Sequence, residues 1–165
     1  MSSSPIILVS YIDVGNVLAL MLQKGDIKCF MDGGLLAFDV TSLSIRSNKC
    51  TDWLYPYEHD SLDLSGYTNL QELTIGDNSF NYGSSLKLPA SLKHLVFGRN
   101  TFGSLNSLPL PSSLTHLTLS EGSVNGMKTV SIKGHQQLME IVFGADAFKT
   151  GSLVLESACP SVFQV

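Results

Sequence analysis

LQELTIGDN, at residues 70–78, is a nine-residue stretch that returns three more times along the chain. The later copies are LKHLVFGRN at 92–100, LTHLTLSEG at 114–122 and LMEIVFGAD at 138–146, and the four copies start 22, 22 and 24 residues apart. A nearly fixed period in this range indicates one short structural unit stacked on itself. The sequence therefore predicts a repeat solenoid, in which each unit contacts its neighbours.

Two apolar strands are predicted in each unit. The nine-residue copy has apolar residues at its first, fourth and sixth positions, and an apolar-x-apolar pair also lies upstream of each copy and after the last one. These pairs are Leu62 and Leu64, Leu86 and Leu88, Leu108 and Leu110, Val130 and Ile132, and Leu153 and Leu155. Alternating residues share one face of a strand, and stacked units bring equivalent strands to about 4.8 Å from each other. The predicted fold is therefore mainly β, with parallel sheets that share a leucine-lined core.

The turn after the second strand of each unit has its own pattern. Asn78, Asn100 and Asp146 occupy the ninth position, where a polar side chain can satisfy backbone groups, and we predict that they form a structural turn ladder. Gly122 stands at this position in the third unit and predicts local loosening. Two residues further on, an apolar side chain is predicted to plug the core of each unit: Phe80, Phe102, Val124 and Phe148.

The repeat divides the chain into a cap and a solenoid. We assign residues 1–42 to an N-terminal cap and 43–165 to the solenoid, with units 61–84, 85–106, 107–128, 129–151 and a partial unit 152–165. The cap is expected to hold a strand over residues 6–11 and one small helix over about 14–23, and Leu43 and Ile45 predict a degenerate strand. Because the partial unit ends in mid-strand, self-association at this C-terminal edge is a further expectation.

The pattern L-x-x-L-x-[LIF]-x-x-N resembles the leucine-rich repeats. Within that family, LPASLKHLVFG and LPSSLTHLTL look like FNIP-type repeats, whose units contain LPxSLxxLxFG, while IGDNSF and FGADAF are similar to BspA-like repeats. The resemblance implies a right-handed, curved solenoid with a parallel sheet on its concave side. It also implies protein recognition without catalysis.

The same resemblance places two rows of side chains on the concave face. The third position of the copies supplies Glu72, His94, His116 and Glu140, and the fifth supplies Thr74, Val96, Thr118 and Val142. Adjacent imidazoles flanked by carboxylates could ligate a metal or respond to pH, but solvent-facing ladders in solenoids also mix such residues without further chemistry. We expect a plain partner-binding surface with no metal site. Charge reversal of His94 together with His116 is predicted to weaken partner binding without unfolding the protein.

Composition argues against several other functions. Charged residues make up 15% of the chain, the net charge is −4, and the basic residues are not clustered, which argues against nucleic-acid binding. The apolar run at residues 5–22 contains Asp13, Asn16 and Gly15, so we do not interpret it as a membrane span. Three irregularly spaced cysteines and the lack of an N-glycosylation sequon favour a cytoplasmic location.

No sequence motif indicates a catalytic residue or a bound cofactor. Trp53, Tyr55 and Tyr57 cluster in one loop, where they either seal the core or form an interface. The function predicted from the sequence is a non-catalytic, protein-binding scaffold. Two alternatives remain: a structural or surface-array protein that associates through its solenoid ends, and a metal-binding module that uses the Glu-His-His-Glu row.

Overall fold

The computed structural model describes residues 6–9, 41–45, 47, 61–149, 151–156 and 162–164. Within these ranges the protein is mainly β and contains no helix, so no helix there could cross a membrane. The predicted helix at about 14–23, the three cysteines and the Trp53 cluster lie outside the described residues. The strands are β1 (Ile6–Val9), β2 (Ser42–Ile45), β3 (Ser61–Asp63), β4 (Glu72–Ile75), β5 (Ser85–Lys87), β6 (His94–Phe97), β7 (His116–Leu119), β8 (Thr129–Lys133), β9 (Glu140–Phe143), β10 (Ser152–Glu156) and β11 (Val162–Gln164).

Seven of these strands form one sheet, in the order β1-β2-β4-β6-β7-β9-β11. Every neighbouring pair is parallel, and the register aligns Leu73 with Leu95, Leu95 with Leu117, and Leu117 with Ile141. Equivalent residues of successive units therefore stack directly on one another, which confirms the predicted mainly β solenoid. The described part of the chain has about four turns.

The core follows the apolar positions that the repeat defines. Leu73, Leu95, Leu117 and Ile141 are each at most 1% exposed, and the first-position leucines are buried as well. Burying one such side chain contributes roughly 1.5–3 kcal/mol. Repetition of this gain from unit to unit stabilises a stack whose single units could not form a core alone.

The second sheet is interrupted, contrary to the prediction of a strand in every unit. Strand β3 pairs with β5 and β8 pairs with β10, but the segment that contains Leu108 and Leu110 is not a strand. Pro109 stands there in place of Lys87 of the preceding unit, and proline has no N–H to donate to a ladder. Leu110 instead donates its backbone N–H to Leu108 O at 3.0 Å, a local turn. Both leucines still pack against the core.

Three of the four predicted plugs are buried. Phe80, Phe102 and Val124 are at most 2% exposed, and the rings of Phe80 and Phe102 stack at 5.3 Å. The fourth unit differs from the prediction, because Ala147 is the buried residue there and Phe148 is only partly buried. The Phe148 ring packs edge-on against Phe143, with their centroids 5.0 Å apart.

The sheet extends in both directions beyond the four complete units. The degenerate strand predicted at Leu43 and Ile45 is β2, and it pairs with β1, the strand expected over residues 6–11. At the other end, β11 aligns Phe163 with Ile141, one rung beyond β9. One parallel sheet thus includes strands from the segment assigned to the cap and from the partial unit.

Candidate functional site

The outward side of the seven-stranded sheet carries the two predicted rows together on four adjacent strands. Strands β4, β6, β7 and β9 pair in register, so the third and fifth positions of the repeat form parallel rows. We call these eight residues the ladder face: Glu72, Thr74, His94, Val96, His116, Thr118, Glu140 and Val142. All eight are exposed or half-buried.

The buried leucines determine which residues form the ladder face. In β4, Glu72 and Thr74 are exposed while Leu73 and Ile75 are buried, and the same alternation follows in β6 and β7. A slip of one residue would turn the leucines outward and the polar row inward, so the core fixes the register strongly. The buried leucines on the opposite side of the strands therefore fix the backbone that carries the ladder face.

The third-position row is a continuous line of charged and titratable side chains. The rings of His94 and His116 meet at 62°, with their centroids 4.5 Å apart. Glu72 Oε1 lies 3.9 Å from His94 Nδ1, and Glu140 Oε2 lies 4.0 Å from His116 Nε2. Each imidazole thus has a carboxylate on its outer side and the other imidazole on its inner side.

Thr115 forms a side-chain contact with one histidine of this row. Its Oγ1 lies 2.8 Å from His116 Nδ1 and 3.0 Å from Lys93 O. Lys93 O also accepts the backbone N–H groups of Thr115 and His116, at 2.8 and 3.0 Å. The contact orients the imidazole of His116, and either tautomer of the ring can form it, since a hydroxyl both donates and accepts.

The row does not gather into a metal centre. Among the described residues, no group of three or more His, Cys, Asp or Glu side chains is arranged to hold a metal ion. The four residues occupy four successive rungs, so their backbones spread over about 14 Å. Such a line spreads its charges along the sheet instead of gathering them around a single point.

The fifth-position row is a strip of β-branched side chains beside the charged row. Thr74 is exposed, and Val96, Thr118 and Val142 are half-buried. These residues form strands well and lose little rotamer freedom on contact, since their χ1 angles are already restricted. The strip is mildly apolar and suits contact with an extended chain.

The predicted turn ladder is present in its first two members. Asn100 Nδ2 donates to Asn78 Oδ1 at 3.0 Å, and both residues have left-handed φ angles of 53° and 55°. Gly122 and Asp146 share this conformation, with φ of 66° and 55°. The Asp146 carboxylate is 3.5 Å from Lys149 Nζ, so its side chain has a different partner.

The left-handed φ explains why Gly122 replaces asparagine without opening the turn. Asn, Asp and Gly are the residues that adopt this conformation most readily. Gly122 keeps its backbone hydrogen bond to Ala145 O at 3.0 Å, which gives no support to the predicted loosening. The residue set Asn, Asn, Gly, Asp was the available signal for a left-handed turn.

Two serines of the LPxSL motif have a role that sequence reasoning missed. Ser91 Oγ donates to Leu70 O at 2.7 Å, and Ser113 Oγ donates to Leu92 O at 2.6 Å. Each serine thus joins its unit to the unit before it. The sequence signal for this role was that both serines occupy the same position in two successive motifs.

Comparison with known proteins gives one match, in the centre of the solenoid. Neither curated proteins nor solved structures gave a match. Residues 80–122 match the family model described as FNIP Repeat. This segment contains both the LPASLKHLVFG and the LPSSLTHLTL motifs, with their shared serine and buried leucines. The match is to a repeat family, and it agrees with the FNIP-type resemblance of these two motifs.

Proposed function

We propose that this protein is a non-catalytic, protein-binding scaffold of the leucine-rich-repeat type, and that its ladder face is the binding surface. The observation that carries the proposal is the ladder face itself: eight exposed or half-buried side chains in register on four adjacent strands. Repeat folds commonly bind through such extended surfaces.

The packing behind the ladder face supports this proposal. Leu95, Phe97 and Leu117 are each 0% exposed and hold the strands from the core side. A surface that is ordered before binding loses little conformational entropy when a partner arrives. Many shallow contacts along the two rows would then add up to a useful affinity.

Binding through the ladder face can be tested with selected peptides. Random extended peptides displayed on phage are selected on the purified protein, and the best one is measured by fluorescence polarisation against variants. The double variant Thr74→Lys/Thr118→Lys changes two rungs of the ladder face. Its matched control, Thr129→Lys/Ser131→Lys, places the same charges at exposed positions of β8, in the other sheet.

We expect an affinity loss of about tenfold or more for the ladder-face variant and less than about twofold for the control, because only the first pair lies at the proposed interface. Circular dichroism verifies that both variants remain folded. Equal losses for the two variants, or a greater loss for the control, would place the interface elsewhere. Threonines are better targets than His94 and His116, since replacing both histidines with glutamate stacks four carboxylates in one row.

A further inference from the structure

The charge sequence along the ladder face points to one class of partner. We propose that the third-position row binds an extended peptide with a basic, an acidic and a basic side chain at alternate positions, and that this binding strengthens as His94 and His116 become protonated. The inference rests on the proposed function, because it names the partner of the same surface. Its basis is the order Glu72, His94, His116, Glu140 on four successive rungs.

The spacing of the row matches such a peptide. Adjacent strands lie about 4.8 Å apart, so the midpoint between the two histidines is about 7 Å from either glutamate rung. An extended chain rises about 3.4 Å per residue, which places alternate side chains about 7 Å apart on one face. A peptide that crosses the strands can therefore set its acidic residue between His94 and His116 and its basic residues opposite Glu72 and Glu140.

Protonation of the histidines is linked to this binding by their contacts. The rings of His94 and His116 are 4.5 Å apart, so two imidazolium charges repel each other unless an anion lies between them. Within the row, Glu72 and Glu140 partly compensate each charge from the outside, at 3.9 and 4.0 Å. A carboxylate from the peptide, placed between the two rings, would supply the negative charge that neither glutamate supplies there.

The other groups around the histidines do not supply that central charge. The only titratable side chains on β4, β6, β7 and β9 are the four members of the row itself. Lys93 precedes β6 and is exposed, and it adds a further positive charge near the pair. The Thr115 hydroxyl contacts His116 Nδ1 and is neutral. Linkage then requires that a peptide preferring the protonated pair binds more tightly as pH falls.

Two synthetic peptides test the proposal on the full chain. The matched peptide is acetyl-TKTDTKT-amide, and the charge-inverted control is acetyl-TETKTET-amide. Binding of each is followed by two-dimensional NMR at pH 5.5 and 7.5, a range in which imidazoles titrate while carboxyl groups remain mostly ionised. The variant His94→Gln/His116→Gln removes the titrating groups while it keeps polar side chains on the row.

We expect the matched peptide to bind about fivefold more tightly at pH 5.5 than at pH 7.5, and to shift resonances of the ladder face. The glutamine variant should lose this pH dependence, and the inverted peptide should bind more weakly than the matched one at pH 5.5. Equal affinity for the two peptides, or no pH dependence of binding, would overturn the inference. In that case, resonance shifts confined to the ladder face would still support the proposed function. No shifts on the ladder face with either peptide would overturn the inference, and the peptide selection described above decides the proposed function separately.

Discussion

Phe102 gives the sharpest test of the turn that links successive units. Its side chain is fully buried and its ring lies 5.3 Å from Phe80 and 5.1 Å from Phe97. Its backbone has a φ of 51°, the left-handed region that bulky residues rarely adopt. The structure therefore predicts an unusual ranking, in which glycine is a better replacement for Phe102 than alanine.

The magnitude follows from two separate terms. Removing a buried phenylalanine side chain costs about 3–5 kcal/mol, and Phe102→Ala should fall in this range. A left-handed backbone costs a non-glycine residue about 1–2 kcal/mol, whereas glycine loses about 0.5–1 kcal/mol more on ordering than alanine does. The difference should make Phe102→Gly about 0.5–1 kcal/mol more stable than Phe102→Ala.

Phe97 is the matched control for this ranking. It is equally buried, but it lies in strand β6, and its φ is not in the left-handed region. Phe97→Gly should therefore be about 0.5–1 kcal/mol less stable than Phe97→Ala. Urea unfolding followed by circular dichroism gives the free energy of unfolding for all four variants. The same ranking of Gly and Ala at both positions would refute the left-handed assignment of Phe102.

Three further predictions concern the turns and the second sheet. Gly122→Ala should lower the free energy of unfolding by about 1–2 kcal/mol, since alanine disfavours the left-handed φ of 66° and its Cβ would lie 2.6 Å from Asn100 Oδ1; unchanged stability in thermal melts would contradict this. Ser91→Ala should cost about 1 kcal/mol in urea unfolding by breaking the bond between units, while no measurable change would mean that the bond contributes nothing. Asp63 has a pKa lowered to about 2, chiefly by its hydrogen bond from Lys87, so its ionised form stabilises the fold above about pH 4 and the effect is lost toward pH 2. Asp63→Asn should therefore cost less than about 1 kcal/mol at pH 7, as the pair is partly exposed, and progressively less as the pH falls from 4 through 2; an equal cost at pH 7 and pH 2 would exclude the charge as its origin.

Most of the fold could be predicted from the period of the repeat. Leu73, Leu95 and Leu117 recur at one interval and alternate with polar residues, which together predict parallel strands in one register. Prediction failed where a single residue overruled the pattern. Pro109 keeps the leucine spacing of a strand yet removes a backbone donor, and Phe148 keeps the plug spacing although Ala147 fills the core.

The candidate site was predictable in position and not in contact geometry. Register alone places His94 beside His116, since identical positions of adjacent units must face each other. The hydrogen bond between His116 and Thr115 depends on side-chain torsions, which a repeat pattern does not encode. The left-handed turn at Asn78 and Gly122 could have been predicted from the sequence, because their residue types share that conformational preference.

Nuclear Overhauser effects between methyl groups can show whether the units stack in register. In a selectively methyl-labelled sample, we expect contacts from Leu73 to Leu95, from Leu95 to Leu117, and from Leu117 to Ile141, as the register requires. We expect none between Leu73 and Ile141, which are three rungs and about 14 Å apart. Absence of the three neighbour contacts, or a strong contact between Leu73 and Ile141, would contradict the solenoid.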